Sequence, residues 1–276
     1  MLTVTAHGAT IPVIGFGTWR LSGEGCASAV AEALRIGYRH VDGAAGYGNE
    51  DRVGEGIRAS GVPRDDIFIT TKVPPDDLDD RAFQLSVDRS LEQLGVDQVD
   101  LVLIHWPSKV IPVATTIASL NKARARGVTR YIGVSNFTTA LLREAWAATD
   151  APLVTDQCEY HPYLAQDRLL AACREWGMAF TAFSPLGREV VLADPVIAEI
   201  AAKKGKTPAQ VVLRWDIQQP GVVTIPRSSQ PAHIRANFEV FDFALSDDEM
   251  AAISHLGRSH RHRVANQASV APAWDE

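Results

Sequence analysis

Short apolar runs alternate with longer amphipathic segments along almost the whole chain. The runs are rich in β-branched and aromatic residues, and the longer segments repeat apolar residues at the spacing of a helix. This pattern predicts helices over 26–36, 50–60, 80–94 and 113–126, with further helical patterns later in the chain. It predicts strands over 14–18, 38–41, 67–71, 101–104, 129–134, 153–156, 178–182 and 222–225.

Eight strand–helix units in one series are typical of parallel strands joined by crossover helices. A doubly wound sheet and a closed barrel both satisfy this alternation. The lack of a Gly/Ser-rich linker favours the barrel, so we expect one α/β domain over 1–276, a (β/α)8 barrel of the TIM type. A turn at 7–9 predicts an N-terminal β-hairpin that caps the opposite mouth.

Composition narrows the classes of partner. The chain has 276 residues, 46% hydrophobic and 22% charged, which is enough to bury a large core. Its formal net charge of −6 argues against nucleic acid or an anionic membrane as the main partner. We expect neither a secretion signal nor a membrane span, because no basic-then-apolar leader and no long apolar stretch occur. Cys26, Cys158 and Cys173 lack CxxC spacing and suggest free thiols in a reducing cytoplasm.

Four polar residues, Asp42, Tyr47, Lys72 and His105, lie at or just beyond the ends of the second, third and fourth strands. In a barrel, the active site lies at the carboxyl ends of the strands. An ammonium beside a phenol lowers the pKa of that phenol. A hydroxyl adjusted in this way suits proton donation to a carbonyl oxygen, provided that a cofactor delivers hydride. Each residue taken singly has a structural explanation, as an ion pair or a packed core residue; their joint occurrence favours a site.

Four segments of the chain carry a family resemblance. They are GYRHVDGAAGYGNE at 37–50, IHWP at 104–107, GVSNF at 133–137 and IPRS at 225–228. These segments resemble the aldo-keto reductases, in the order of that family, and the resemblance runs from about Val4 to Asn237. The ending and the compact loops look most like the bacterial 2,5-diketo-D-gluconate reductase B branch, which also reduces methylglyoxal. The resemblance implies NAD(P)H-dependent carbonyl reduction, with Tyr47 as general acid, Lys72 and Asp42 adjusting its pKa, and His105 orienting the carbonyl.

The resemblance also implies a cofactor site. Ser135, Asn136 and Gln157 would bind the nicotinamide carboxamide, and Phe183 would stack on its ring. From local sequence alone, a helix N-cap explains Ser135 and Asn136 equally well, and periodicity alone places Phe183 in the core. The full set of expected cofactor residues is Gly17, Thr18, Trp19, Asp42, Ser135, Asn136, Gln157, Phe183, Ser184, Leu186, Gly187, Ile225, Arg227, Ser228, Ser229, His233 and Asn237.

The cofactor preference rests on the residues expected near the adenosine 2′-phosphate. Arg227 stands where the family usually has Lys and offers paired donors to a phosphate. His233 and Ala236 stand where many NADP-dependent members carry Arg and Glu. We therefore expect NADP(H) to be preferred, with some use of NAD(H).

The substrate end of the site is expected to be apolar. Trp19, Tyr47, His105 and Trp106 would contact a small carbonyl substrate, with Trp274 as a further wall. The short connection from 107 to 113 predicts an open mouth that admits varied small aldehydes. The basic run 258–263 is more simply a solvated loop than a site for acidic substrate groups. No HExxH spacing or Cys/His cluster suggests a metal, and we expect a monomer.

Two other functions fit parts of the pattern. A Schiff-base lyase of the aldolase kind would use Lys72 as an amine nucleophile, but would leave Ser135, Gln157 and Arg227 without a joint purpose. A non-catalytic nucleotide-binding barrel would have no need of the proton donor.

Overall fold

The computed structural model describes residues 2–275. Within these residues, the strands are β1 (Thr3–Ala6), β2 (Ala9–Pro12), β3 (Phe16–Gly17), β4 (His40–Asp42), β5 (Phe68–Val73), β6 (Val99–Ile104), β7 (Thr129–Ser135), β8 (Leu153–Glu159), β9 (Ala179–Phe183) and β10 (Val222–Thr224). The helices are α1 (Gly23–Ile36), α2 (Glu50–Ser60), α3 (Asp80–Leu94), α4 (Val113–Ala125), α5 (Thr139–Ala148), α6 (Asp167–Glu175), α7 (Pro195–Lys204), α8 (Pro208–Gln218), α9 (Pro231–Phe238) and α10 (Asp247–Ser259).

Strands β3 to β10 form one parallel sheet in chain order. The chain just before β3 also pairs with β10. The amide of Gly15 donates to the carbonyl of Thr224 at 2.8 Å, and the amide of Thr224 donates to the carbonyl of Val13 at 2.9 Å. These bonds join the first strand to the last and close the sheet. The predicted (β/α)8 barrel is confirmed.

The predicted N-terminal hairpin is also present. Strands β1 and β2 pair antiparallel, with Ala6 opposite Ala9, and the turn between them has Gly8 at φ 86°, a left-handed conformation that suits glycine. Ala6, Ala9 and Ile11 pack against residues inside the barrel, among them Phe68 at the start of β5. The hairpin therefore closes the amino-terminal end of the barrel, opposite the end where the strands finish.

Alternation along the strands decides which side chains enter the barrel. Leu101 and Leu103 of β6 belong to the interior cluster, whereas Val102 and Ile104 belong to the core beneath the helices. His105 follows Leu103 at the two-residue spacing of the inner face. Lys72 of β5 lies opposite Leu103 in the register, and Asp42 of β4 lies opposite Thr70. Strand period and register thus direct these polar residues into the upper layer of the barrel.

The sequence pattern predicts the bounds of the helices more accurately than those of the strands. Helices α2 and α3 have the predicted bounds, 50–60 and 80–94. Strand β8, in contrast, continues three residues past its predicted end, through Gln157 to Glu159. The extension contains polar side chains that are nevertheless buried. Apolar periodicity does not reveal a strand end whose polar residues are buried.

Two further findings concern the described part of the chain. No helix within 2–275 is both long and apolar enough to cross a lipid bilayer. Cys26, Cys158 and Cys173 are all free and buried.

Candidate active site

A buried ion pair lies at the carboxyl ends of β4 and β5. The Lys72 ammonium donates to Asp42 Oδ1 at 2.5 Å, to the Gly43 carbonyl at 2.8 Å and to the Tyr47 hydroxyl at 3.4 Å. The side chain of Lys72 is fully buried and that of Asp42 is 2% exposed. An ammonium has three protons to donate, and each has an acceptor here. Lys72 is therefore fixed, with its charge directed at the phenol.

Local backbone structure presents Tyr47 and His105 to the same space. Tyr47 ends a short 3₁₀ turn after β4, and Gly48 at φ 65° closes that turn. The amide of His105 continues the ladder of β5 and β6 by donating to the Val73 carbonyl at 3.0 Å. The two aromatic rings meet edge to face at 5.6 Å. Within residues 2–275, neither ring nitrogen of His105 is hydrogen-bonded, so both remain available to a bound molecule.

The surroundings shift the pKa of each group. Burial, together with the charge of Lys72, lowers the pKa of His105 to about 3, so its imidazole is neutral and carries one N–H. Burial lowers the pKa of Lys72, but the charges of Asp42 and Tyr47 and their hydrogen bonds outweigh it, and the net shift is upward. Burial raises the pKa of Tyr47, while Lys72 opposes that shift; the net direction is upward. The expected lowering by Lys72 is present but smaller than the effect of burial, and the phenol stays protonated at neutral pH.

The hydrogen bonds of Lys72 argue against the lyase alternative, in which its amine would attack a carbonyl. A Schiff base requires an uncharged amine with a free lone pair. Lys72 is charged, bonded to Asp42 and Gly43, and inaccessible. This environment is unsuited to a nucleophilic amine.

Ser135, Asn136 and Gln157 lie together at the ends of β7 and β8. Ser135 Oγ donates to the Gln157 carbonyl at 2.7 Å, and Asn136 Nδ2 donates to Ser135 Oγ and to the His105 carbonyl. Gln157 Nε2 donates to Asp42 Oδ2 at 2.7 Å. Asn136 Oδ1 is buried without a partner among the described residues, and Asn136 takes the left-handed φ of 63°. The N-cap alternative is wrong, because Thr138 caps α5 by accepting from the Leu141 amide.

One cavity of about 580 Å³ opens above these residues. Such a volume is usual for a site that holds a small molecule or cofactor. Its lining includes the following predicted residues: Gly17, Thr18, Trp19, Asp42, Tyr47, His105, Trp106, Ser135, Asn136, Gln157, Phe183, Ser184, Leu186, Ile225 and Arg227. The cavity therefore joins the expected substrate end to the expected nicotinamide end.

The remaining predicted residues lie beside or below the cavity. Lys72 is beneath Tyr47, and Gly187 is buried, where a Cβ built on it would lie 3.4 Å from Cγ of His161. The others follow Arg227 along the chain: Ser228 and Ser229 precede α9, whereas His233 and Asn237 lie within it. Ser228 and Asn237 are buried, and Ser229 and His233 are exposed.

Several residues that line the cavity were not predicted from the sequence: Gly46, Pro185, Arg188, Glu189, Pro226 and the C-terminal residues Val264, Ala265, Asn266 and Gln267. The guanidinium of Arg188 lies 5.1 Å from the ring of Trp19. Arg188 directly follows Gly187, an expected cofactor residue, and this adjacency is the feature of the sequence that could have indicated it. The C-terminal residues 264–267 belong to no motif that indicates a binding site. Because they cross the rim, the mouth is less open than the short connection after Trp106 predicts.

The C-terminal part of the chain also contains Trp274 and the basic run 258–263. Trp274 packs edge to face on Trp106 at 6.1 Å, but lines an adjoining cavity in the tail and not the main one. Arg258 lies in the last turn of α10, so the expected loop begins only after Ser259. Arg258 and Arg261 are exposed, whereas the guanidinium of Arg263 stacks on Trp274 at 3.7 Å. Within 2–275, no cluster of three or more His, Cys, Asp or Glu side chains could hold a metal ion.

Comparisons with known proteins agree with this geometry. The model of the aldo/keto reductase family matches residues 13–258. A 9,11-endoperoxide prostaglandin H2 reductase from Trypanosoma cruzi is 43% identical, over 94% of this chain and 92% of its own length. The crystal structure of a proposed 2,5-diketo-D-gluconic acid reductase B is 46% identical, with a TM-score of 0.97 over 99% of this chain and 97% of that one.

A further similar structure contains a cofactor. The aldo-keto reductase of Bombyx mori, solved in complex with NADP, is 32% identical with a TM-score of 0.90, and 97% of each chain is covered. The expected likeness to the 2,5-diketo-D-gluconate reductase B branch is confirmed as a likeness. Barrel, site and relatives lead to one conclusion: the chain belongs to the aldo/keto reductase family.

Proposed function

We propose that this protein reduces small aldehydes and ketones, of the methylglyoxal or diketo-sugar-acid kind, to alcohols with NADPH. One observation carries the proposal. The hydroxyl of Tyr47 accepts from a fully buried, charged Lys72 and faces a cavity beside a neutral His105. A protonated phenol held in that position is suited to protonate a carbonyl oxygen.

The residues present fit a reduced nicotinamide cofactor. Asn136 Oδ1, buried without a partner, is an acceptor that a carboxamide N–H would satisfy. Phe183 offers an aromatic face to the same cavity, near Ser184 and Leu186. Ser135 and Gln157 already hydrogen-bond within the protein, so their main contribution would be to hold Asn136 and Asp42 in place. Gly17, Thr18 and Ile225 would line the cofactor side.

The proposed chemistry divides among four side chains. The bound cofactor would supply hydride to the carbonyl carbon. His105 would donate its single N–H to the carbonyl oxygen and orient it. Tyr47 would transfer its proton to that oxygen as the carbon–oxygen bond is reduced. Lys72, held by Asp42, would stabilise the phenolate that remains. Trp19 and Trp106 would enclose the substrate.

The direct test is to mix the protein with NADPH and methylglyoxal and follow NADPH absorbance. We expect NADPH to be consumed in proportion to the alcohol formed. Diketo-sugar acids and a set of small aldehydes extend the test to other carbonyl groups. If NADPH is not consumed with any of them, the proposed function is wrong.

Cofactor preference should depend on Arg227. Arg227 is exposed and lines the cavity, and we propose that it binds the 2′-phosphate together with Ser228, Ser229, His233 and Asn237. We expect Arg227→Ala to raise the KM for NADPH roughly tenfold, the value of one charge-assisted hydrogen bond. The KM for NADH should change little, since NADH has no 2′-phosphate. Arg235→Ala, which removes an exposed arginine of α9 that pairs with Glu32, is the matched control. Equal effects on the two cofactors would contradict this role.

The pH dependence of reduction follows from the shifted groups. Reduction needs Tyr47 protonated, and its pKa lies above the ordinary value of about 10. It also needs neutral His105, whose pKa is about 3. We therefore expect kcat/KM for the carbonyl, at saturating NADPH, to be flat between about pH 5 and pH 9. It should fall in alkali as Tyr47 loses its proton, and in acid only as the pH approaches the His105 pKa of about 3. A step near the ordinary histidine pKa would show that His105 titrates during turnover.

The cellular location, oligomeric state and domain organisation of the enzyme are also proposals. Three buried free thiols are what a reducing cytoplasm maintains, and we propose that location. We propose a monomer with the whole chain as one domain, which sedimentation and limited proteolysis would test.

A further inference from the structure

Residues 264–275, here called the tail, are fastened to the barrel at its active-site end. The amides of Val264 and Ala265 both donate to the carboxylate of Glu159, at 2.6 and 2.7 Å. Glu159 is the last residue of β8, and its side chain is fully buried. Two consecutive main-chain amides therefore bind one carboxylate whose position the barrel fixes.

His161 completes the surroundings of this carboxylate. Its Nε2 lies 3.0 Å from Glu159 Oε1, and its Nδ1 accepts from the Tyr163 amide at 3.3 Å. The second contact assigns the ring proton to Nε2, so the imidazole donates to Glu159. Burial raises the pKa of Glu159, but the bonds from His161, Val264 and Ala265 outweigh it and lower the pKa. Glu159 is thus an ionised acceptor with three N–H donors.

The same His161 supports the loop that follows β9. A Cβ built on Gly187 would lie 3.4 Å from Cγ of His161, so this loop rests against the imidazole. Glu159 and His161 therefore connect two parts of the cavity wall, the tail and the loop of Ser184 to Glu189. Neither residue lines the cavity itself.

The far end of the tail is fastened separately. Asp275 accepts from the amide and the hydroxyl of Thr139 at the start of α5, at 2.7 and 3.0 Å. Lys109 donates to the Ala268 carbonyl at 2.8 Å. Between these points, the segment 264–267 lines the cavity, and Trp274 packs on Trp106. The tail is held at both ends across the rim.

We propose that Glu159, oriented by His161, positions the tail as the outer wall of the carbonyl pocket and so determines the size of the carbonyl substrate that the enzyme accepts. The barrel does not need these amides for its own hydrogen bonding. Without the tail, however, the buried carboxylate would lose two of its three donors, so a docked tail is strongly favoured. The specificity part of this inference rests on the proposed reduction, whereas the anchoring part does not.

Hydrogen exchange tests the anchoring without any substrate. In Glu159→Gln, an amide group replaces one acceptor oxygen with a donor that faces a tail N–H. We expect exchange at Val264 and Ala265 to accelerate at least roughly tenfold, and exchange in β8 to stay unchanged. Glu175→Gln, an exposed change at the end of α6, is the control. Unchanged exchange at 264–265 overturns the inference, whatever the enzyme reduces.

Substrate discrimination tests the specificity. We expect the ratio of kcat/KM for methylglyoxal to that for 4-nitrobenzaldehyde to shift roughly tenfold towards the larger aldehyde in Glu159→Gln. A variant that ends at Arg263 should show the same shift and keeps the test available if Glu159→Gln does not fold. Adding Glu159→Gln to that shortened variant should have no further effect on the ratio, because the tail is already absent.

The possible results separate the two proposals. Faster hydrogen exchange with an unchanged ratio of kcat/KM for the two aldehydes overturns the specificity role, since a loosened tail would then leave substrate discrimination unaffected. An additional effect of Glu159→Gln in the shortened variant also overturns it, because Glu159 would act by another route. If neither aldehyde is reduced, the proposed function fails, and the exchange measurement alone decides whether Glu159 anchors the tail.

Discussion

Replacing Tyr47 by Phe should reduce turnover by about 10² to 10⁴-fold, the usual contribution of a positioned general acid. Phe keeps the ring that meets His105 edge to face at 5.6 Å and removes only the hydroxyl. Lys72 loses a weak acceptor at 3.4 Å, while its bonds to Asp42 and Gly43 remain. The loss should therefore appear in kcat, with little change in stability.

Two measurements make this result specific. NADPH affinity, followed by fluorescence titration, should be unchanged, because the proposed cofactor contacts do not include the phenol oxygen. Tyr131→Phe is the matched control, since its hydroxyl donates to the Gly8 carbonyl at the opposite end of the barrel. If Tyr47→Phe binds NADPH normally and still turns over at near wild-type rate, another group donates the proton.

Replacing Lys72 by Met should impair both activity and folding. The change leaves the buried carboxylate of Asp42 without its ammonium. Breaking a buried pair in this way typically costs about 3–5 kcal/mol of unfolding free energy. Turnover should also fall at least about 100-fold, because nothing then stabilises the phenolate of Tyr47. Urea unfolding and steady-state kinetics measure the two effects.

A double variant separates those effects. Adding Asp42→Asn to Lys72→Met removes the uncompensated charge and keeps an oxygen that can accept from Gln157 Nε2. We expect the double variant to unfold at higher urea concentration than Lys72→Met and to remain as inactive. Equal midpoints would show that the charge of Asp42 is not the source of the instability. Recovered activity would contradict the role of Lys72 beside Tyr47.

Much of the site follows from the sequence because of one geometric rule. In a parallel barrel, residues that follow successive strands must meet at the same end. Asp42 ends β4, Lys72 is the penultimate residue of β5 and His105 directly follows β6. Alternation along those strands turns all three inward. The aldo-keto reductase segments added residues that no periodicity could reveal, such as Asn136 and Arg227.

Other features have no comparable sequence pattern. The bonds from Val264 and Ala265 to Glu159 join residues more than 100 positions apart, and the donors are main-chain amides that every non-proline residue has. The net upward pKa shift of Tyr47 depends on how far burial outweighs Lys72, which requires the packed structure. The unpaired Asn136 Oδ1 is likewise visible only when its neighbours are placed.

The sequence by itself determined the barrel, the family resemblance and the convergence of Asp42, Tyr47, Lys72 and His105, because strand period and strand order are local properties of the chain. The tertiary structure alone decided how these groups are protonated and what closes the rim above them. Protonation depends on desolvation and on charges brought together from distant segments. The closure of the rim depends on where the tail finds a buried acceptor, and Glu159 provides it.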